Sequence, residues 1–242
     1  MGSWLPLESS PDILNPFIRK LGLPEPWGFA DVFGLDEELL VMVPPGCVAL
    51  CLLYPSTNIS GVRRADQKAA IEAGAQPPAP DNLFFCMQHD GIGNACGTIA
   101  CIHAVVNGVG VSELTDGPLK NFVASTAGMS ASDRGKALLT ATELQEMSDA
   151  TAASGETEGA GTDDAQGQHF IAFVNAGGML YECDGRNFDK AADGSVAMPY
   201  CHGATSDDTF LSDAAKVIRE DVMARDPSSI NFNIVALCKD AM

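Results

Sequence analysis

The sequence predicts one α/β (α+β) domain, residues 1–242, with a central antiparallel or mixed sheet flanked by helices on both sides. Short apolar runs alternate irregularly with helical stretches. No internal repeat or convincing linker divides the chain. Its 242 residues, 46% of them hydrophobic, can bury a sizeable core. From the amino end, residues 27–32 read as a strand, 35–40 as a short helix and 48–54 as a strand. Cys47 and Cys51 are expected on one face of that strand, as core thiols rather than metal ligands, because no histidine lies near them. Pro77-Pro78-Ala79-Pro80 is an exposed turn-rich segment before a strand at 83–87. After Cys96, Ile99, Ile102 and Val106 recur at spacings of three and four, which predicts a helix with one apolar face and Cys96 at its amino end. Residues 148–168 combine Ala, Gly, Ser, Thr and scattered acids without apolar periodicity and read as a mobile loop. Two apolar strands follow, from Phe170 to Val174 and from Met179 to Cys183, joined by Gly177-Gly178 into a hairpin. Ser206-Asp207 would cap a helix with Leu211, Ala215, Ile218 and Val222 on its inner face, and 230–237 is the last strand.

The chemistry centres on Cys96. A thiol in the first turn of a helix is acidified by the positive end of the helix dipole, and small neighbours leave backbone N–H groups free to meet what the sulfur attacks. Of four histidines, His103 stands two turns along the same helix, roughly 10 Å away, and is expected to be packed. His169 opens one hairpin strand and Asp184 follows the other, so imidazole and carboxylate can meet as base and orienting acid. Gln88, with the Cys96 backbone N–H, is the candidate oxyanion donor, and His89 is expected to be a solvated loop residue.

Taken in order, Trp4-Leu5-Pro6-Leu7-Glu8, Asn94-Ala95-Cys96-Gly97-Thr98-Ile99, His169-Phe170-Ile171-Ala172 and Leu180-Tyr181-Glu182-Cys183-Asp184-Gly185-Arg186 resemble the ubiquitin carboxyl-terminal hydrolases. The likeness covers nearly the whole chain and is to the short, single-domain members of which the L-three isozyme is typical. It implies a papain-like fold with a knotted backbone and a deubiquitinating thiol hydrolase that cleaves small adducts or peptides from the terminal glycine of ubiquitin or a ubiquitin-like protein. The family's nucleophile, base and orienting acid fall on Cys96, His169 and Asp184. The family's glutamine usually stands six residues before the cysteine, whereas Gln88 stands eight before and Asp90 takes the ungapped position. The expectation is that the loop from His89 to Gly93 carries two extra residues and still delivers Gln88. The resemblance also implies substrate contacts from Pro6, Leu7, Glu8 and Pro11, from Phe232 and Asn233, and from Gly155, Glu156, Thr157 and Glu158 in a crossover loop at about 148–168. Two rival readings are a turnover-deficient ubiquitin-binding module, favoured by the altered glutamine spacing, and a cysteine hydrolase for another ubiquitin-like modifier.

Charge narrows the partners. Fourteen basic against 32 acidic residues give a net charge of -18, which speaks against nucleic acid and anionic membranes and for a basic partner or for solubility through repulsion. Between Ala137 and Cys183 there is no lysine or arginine, so the crossover loop is an acidic passage suited to the arginine-bearing tail of ubiquitin. The eight cysteines form no paired motif, no apolar run reaches the length of a membrane span, and Met1-Gly2-Ser3-Trp4-Leu5-Pro6 has neither the basic nor the apolar region of a signal peptide, so none is expected. The expectation is a monomer in the cytoplasm, with access to the nucleus, using no metal or cofactor.

Overall fold

The computed structural model describes residues 3–155, 167–187 and 198–241. Six strands form an antiparallel sheet in the order β1-β6-β2-β3-β4-β5, with β1 Trp27–Asp31, β2 Cys47–Pro55, β3 Gln168–Ala176, β4 Met179–Cys183, β5 Tyr200–Ala204 and β6 Asn233–Lys239. The helices are α1 Pro11–Leu21, α2 Glu37–Leu40, α3 Ser56–Glu72, α4 Cys96–Ala104, α5 Pro118–Ser125, α6 Ala131–Leu139, α7 Thr142–Ala152 and α8 Phe210–Val217.

Strand alternation splits the core in two. Ala49, Cys51, Ala172, Val174, Val235 and Leu237 face α1 and α4. Leu50, Leu52, Ile171, Phe173, Ile234 and Ala236 face α8 and its continuation through Val222. Helices therefore cover both faces, as the sequence predicts. Helix α4 is buried from Gly97 to Ala104, so it is enclosed by the core all round rather than on the one face expected. It approaches the sheet closely: a Cβ on Gly97 would stand 3.1 Å from Leu7 Cβ and 3.3 Å from the Phe170 ring.

Several expectations are corrected. Residues 83–87 join no strand, because side chains and loops satisfy their backbone instead. Asn107 bonds both the N–H and the C=O of Phe84, His103 Nε2 accepts from the Cys86 N–H, and Ala131 and Gly185 carbonyls accept from Met87 and Gln88. Cys47 and Cys51 do not share a face, since a bulge between Cys47 and Ala49 flips the pattern and sends Cys47 toward the other core. Ser148 to Ala152 complete α7 rather than opening a loop. The last strand begins at Asn233, three residues late, and Ile230 is almost fully exposed.

Helix α3 has no counterpart in the sequence reading, and it matters most. Buried Arg63 clasps buried Glu182 on β4 with two bonds, at 3.0 and 2.6 Å, and also reaches Asp221 at 2.9 Å. Gln67 and His202 supply further bonds to the same carboxylate. Burial alone would push the Glu182 pKa up, but the Arg63 charge and the His202 bond outweigh it and hold it at about 2. The carboxylate is therefore charged when folded, and its stabilisation is present above its ordinary value of 4.5 and is lost as pH falls toward 2. We expect Arg63→Met to cost about 3–5 kcal/mol in urea unfolding by stranding a buried charge, and Arg63→Met with Glu182→Leu to recover much of it.

Candidate active site

Cys96 is the first residue of α4, and Ala95 before it offers no side-chain cap, so the amides of the first turn are left for a ligand. The loop leading to it turns through Gly91 and Gly93, whose φ angles of 86° and 83° suit glycine. A Cβ on Gly93 would collide with Ser3 Oγ. Buried Trp4 pairs with this loop, donating from its N–H to the Ile92 carbonyl and accepting from the Asn94 N–H, each at 3.0 Å. The amino-terminal segment thus braces the cysteine loop.

Gln88 is buried and fixed at both ends. Its backbone N–H donates to the Gly185 carbonyl at 2.7 Å, and its Nε2 donates to the Gly93 carbonyl at 3.1 Å. That bond sets the amide's orientation, because a carbonyl can only accept. One N–H of the amide is left over, and Oε1 is buried without a partner among the described residues. Asp90, at the ungapped position, is exposed.

His169 enters from β3, opposite Tyr54 of β2, whose ring meets the imidazole edge-on at 5.9 Å. Its Nε2–H donates to Asp184 Oδ1 at 2.6 Å. The same oxygen accepts the Arg186 N–H at 2.8 Å, while Arg64 on α3 binds Oδ2 at 2.9 and 3.2 Å. Burial disfavours the Asp184 charge, but the His169 charge and bond, then Arg64, override it and hold this carboxyl far below its ordinary range. His169 Nδ1 has no hydrogen-bond partner of regular geometry among the described residues, while the imidazole and the Cys96 thiol interact electrostatically. Burial lowers the His169 pKa, but the Asp184 charge and bond and the interaction with Cys96 raise it overall. Burial likewise opposes the Cys96 thiolate, yet His169, the Phe170 N–H and the Arg186 charge bring that pKa below the ordinary thiol value. Together these shifts favour a thiolate–imidazolium pair.

The other histidines are accounted for. His103 is buried, stacked on Phe85 at 5.1 Å and accepting at Nε2, and burial drops its pKa to about 4. It is a packed neutral residue, as expected. His89 is not a free solvated ring: it is half-buried and bonded to the Ser132 carbonyl at 2.7 Å, where α6 begins.

Of the expected substrate contacts, Leu7 is buried against α4 and cannot present its side chain, whereas Pro6, Glu8 and Pro11 are half-buried. Ser9 donates to Asn233 Oδ1 at 2.7 Å, joining this segment to the start of β6 beside half-buried Phe232. A Cβ on Gly155 would lie 3.0 Å from Glu8 Oε2, and on the other side of the crossover the Gly167 carbonyl accepts from Ser56. Glu156, Thr157 and Glu158 lie outside the described residues. Arg64 and the Phe170 N–H escaped the sequence reading. An Arg63-Arg64 pair in so acidic a chain was a signal, but its partner Asp184 is 120 residues away.

A helix-borne thiol facing a sheet-borne imidazole and its carboxylate defines a papain-like cysteine hydrolase. The model of ubiquitin carboxyl-terminal hydrolase, family 1, matches residues 4–223. The chain is 38% identical over 237 residues to a ubiquitin carboxyl-terminal hydrolase of Drosophila melanogaster, and 40% identical over 237 residues to isozyme L1 of Rattus norvegicus, with 98% of each chain covered in both cases. The fold matches the UCH37 catalytic domain of Trichinella spiralis, solved bound to ubiquitin vinyl methyl ester, with a TM-score of 0.68 and 21% identity over 99% of this chain and 97% of that one. The chain belongs to the ubiquitin carboxyl-terminal hydrolase family 1.

The electrostatics make a measurable statement. Removing the Asp184 charge with Asp184→Asn lowers the His169 pKa and thereby raises that of Cys96. The pH midpoint for iodoacetamide alkylation of Cys96, followed by peptide mass spectrometry, is expected to move up in the variant; an unmoved midpoint contradicts the coupling.

Proposed function

We propose that the protein is a deubiquitinating thiol hydrolase that cleaves small adducts or peptides from the C-terminal glycine of ubiquitin through an acyl-enzyme on Cys96. The observation that carries this reading is the convergence of Cys96, His169 and Asp184 in a chain whose family members are ubiquitin carboxyl-terminal hydrolases. The Cys96 thiolate attacks the glycine carbonyl, and the Cys96 N–H with the spare Gln88 N–H receives the oxyanion. The His169 imidazolium gives its proton to the departing amine, leaving a thioester and a neutral ring. His169 then takes a proton from water, whose hydroxide adds to the thioester and expels the thiolate, while Asp184 holds the ring.

Substrate recognition draws on the surface around this centre. The interval free of cations from Ala137 to Cys183 favours a tail bearing arginines. Pro6, Glu8, Pro11, Gly155, Phe232 and Asn233 are the residues assigned here to ubiquitin contact, and strongly exposed Phe33 shares a surface depression with Phe232 and Asn233, an apolar patch of the kind a folded partner covers. The buried, oriented Gln88 supports turnover and weakens the case for a binding module that has lost it. All eight cysteines are free, which supports work in a reducing compartment, the cytosol or nucleus.

Incubation with an electrophilic ubiquitin and intact mass measurement tests this. Wild type is expected to form one adduct, and Cys96→Ala and His169→Ala none; an adduct on Cys96→Ala assigns the nucleophile elsewhere. Gln88→Ala should lower kcat on a ubiquitin fluorogenic amide by about 100-fold. Faster cleavage of the amide of another ubiquitin-like protein than of ubiquitin would reassign the substrate.

A further inference from the structure

A cleft of about 560 Å³ adjoins the triad, lined by Ser3, Arg64, Gln88, Asp90, Asn94 and Arg186 among others. The lining reaches the catalytic centre through neighbours of the triad, since Arg64 and the Arg186 N–H hold Asp184 and Gln88 bonds Gly93 of the cysteine loop. The amino-terminal segment runs from Ser3, in this cleft, through Trp4, which pairs with the nucleophile loop, to Ser9, which bonds Asn233. If the ubiquitin tail lies along the Ser9–Asn233 side, the departing group leaves into the cleft. This assignment rests on the function proposed above.

The charges there are unusual for this protein. The chain has only 14 cations in 242 residues, and two of them line this one cleft. Arg64 is anchored on Asp184. Arg186 is half-buried, and its guanidinium makes no hydrogen bond or ion pair with any other described residue. It lies close enough for its charge to act on Cys96. The one carboxylate among the lining residues named above, Asp90, is exposed. Gln88 also lines this cleft, with its Oε1 enclosed and without a partner among the described residues.

We propose that this cleft is the leaving-group subsite and selects amines that carry a carboxylate on their first residue, bound by Arg186: single amino acids and short peptides beginning with Asp or Glu. No new chemical step is involved, because the leaving amine takes its proton from His169 in either case.

The test uses ubiquitin extended at its C terminus by Glu-Ala, Gln-Ala or Lys-Ala, mixed in one reaction and followed by intact mass. Wild type is expected to consume the Glu substrate about five-fold faster than the Gln substrate, the yield of one partly exposed ion pair, with the Lys substrate slowest. Arg186→Glu should invert the Glu and Lys order, and Arg186→Gln should flatten it. Ratios within one variant cancel any effect of Arg186 on Cys96 reactivity. Equal rates for the three extensions, or an order unchanged in both variants, overturns the subsite. A wild type that cleaves none of the extensions and no ubiquitin fluorogenic amide overturns the underlying function instead.

Discussion

The site depends on one buried carboxylate. Asp184 sits just past the end of β4 with both oxygens committed: Oδ1 to the His169 imidazole and the Arg186 N–H, Oδ2 to the Arg64 fork. A lone carboxylate at that depth would protonate rather than remain charged. Two cationic partners and a backbone N–H keep it an anion, and the anion in turn lets His169 carry a proton in a place where burial alone would strip it away. The acidity of Cys96 lies downstream of that arrangement.

What keeps Asp184 in place is the ion pair beside it. Arg63 and Arg64 are adjacent on α3, and Arg63 clasps Glu182, two residues before Asp184 on the same strand end. The buried Arg63–Glu182 pair therefore fixes α3 against β4, and Arg64 reaches Asp184 from a helix that cannot drift. A buried ion pair contributes little net stability compared with apolar packing of the same volume, so its value here is positional. On the opposite flank, Trp4 secures the loop carrying Gln88 and Cys96, so the two halves of the site are each held by a segment distant in sequence.

Local patterns made much of this legible. The turn pair Gly177-Gly178 with its flanking apolar runs marked the β3–β4 hairpin, and that hairpin brings His169 and Asp184 together. The small residues around Cys96 marked the start of α4. What escaped the sequence was whatever depends on distant pairing. Helix α3 is too polar to show a strong apolar stripe, because its inward residues include Arg63 and Gln67, whose buried partners lie more than a hundred residues away. Residues 83–87 read as a strand because they are apolar, but their backbone partners are side chains such as Asn107 and His103. The bulge at Cys47 reversed the facing of one thiol by inserting a single residue, which alternation alone cannot reveal.

The most direct test is the charge state of His169 in the resting enzyme, read by nitrogen NMR of the labelled imidazole across a pH titration. The account predicts a ring that loses its proton only above the ordinary value of 6.5. A His169 that titrates at or below the ordinary value would contradict it.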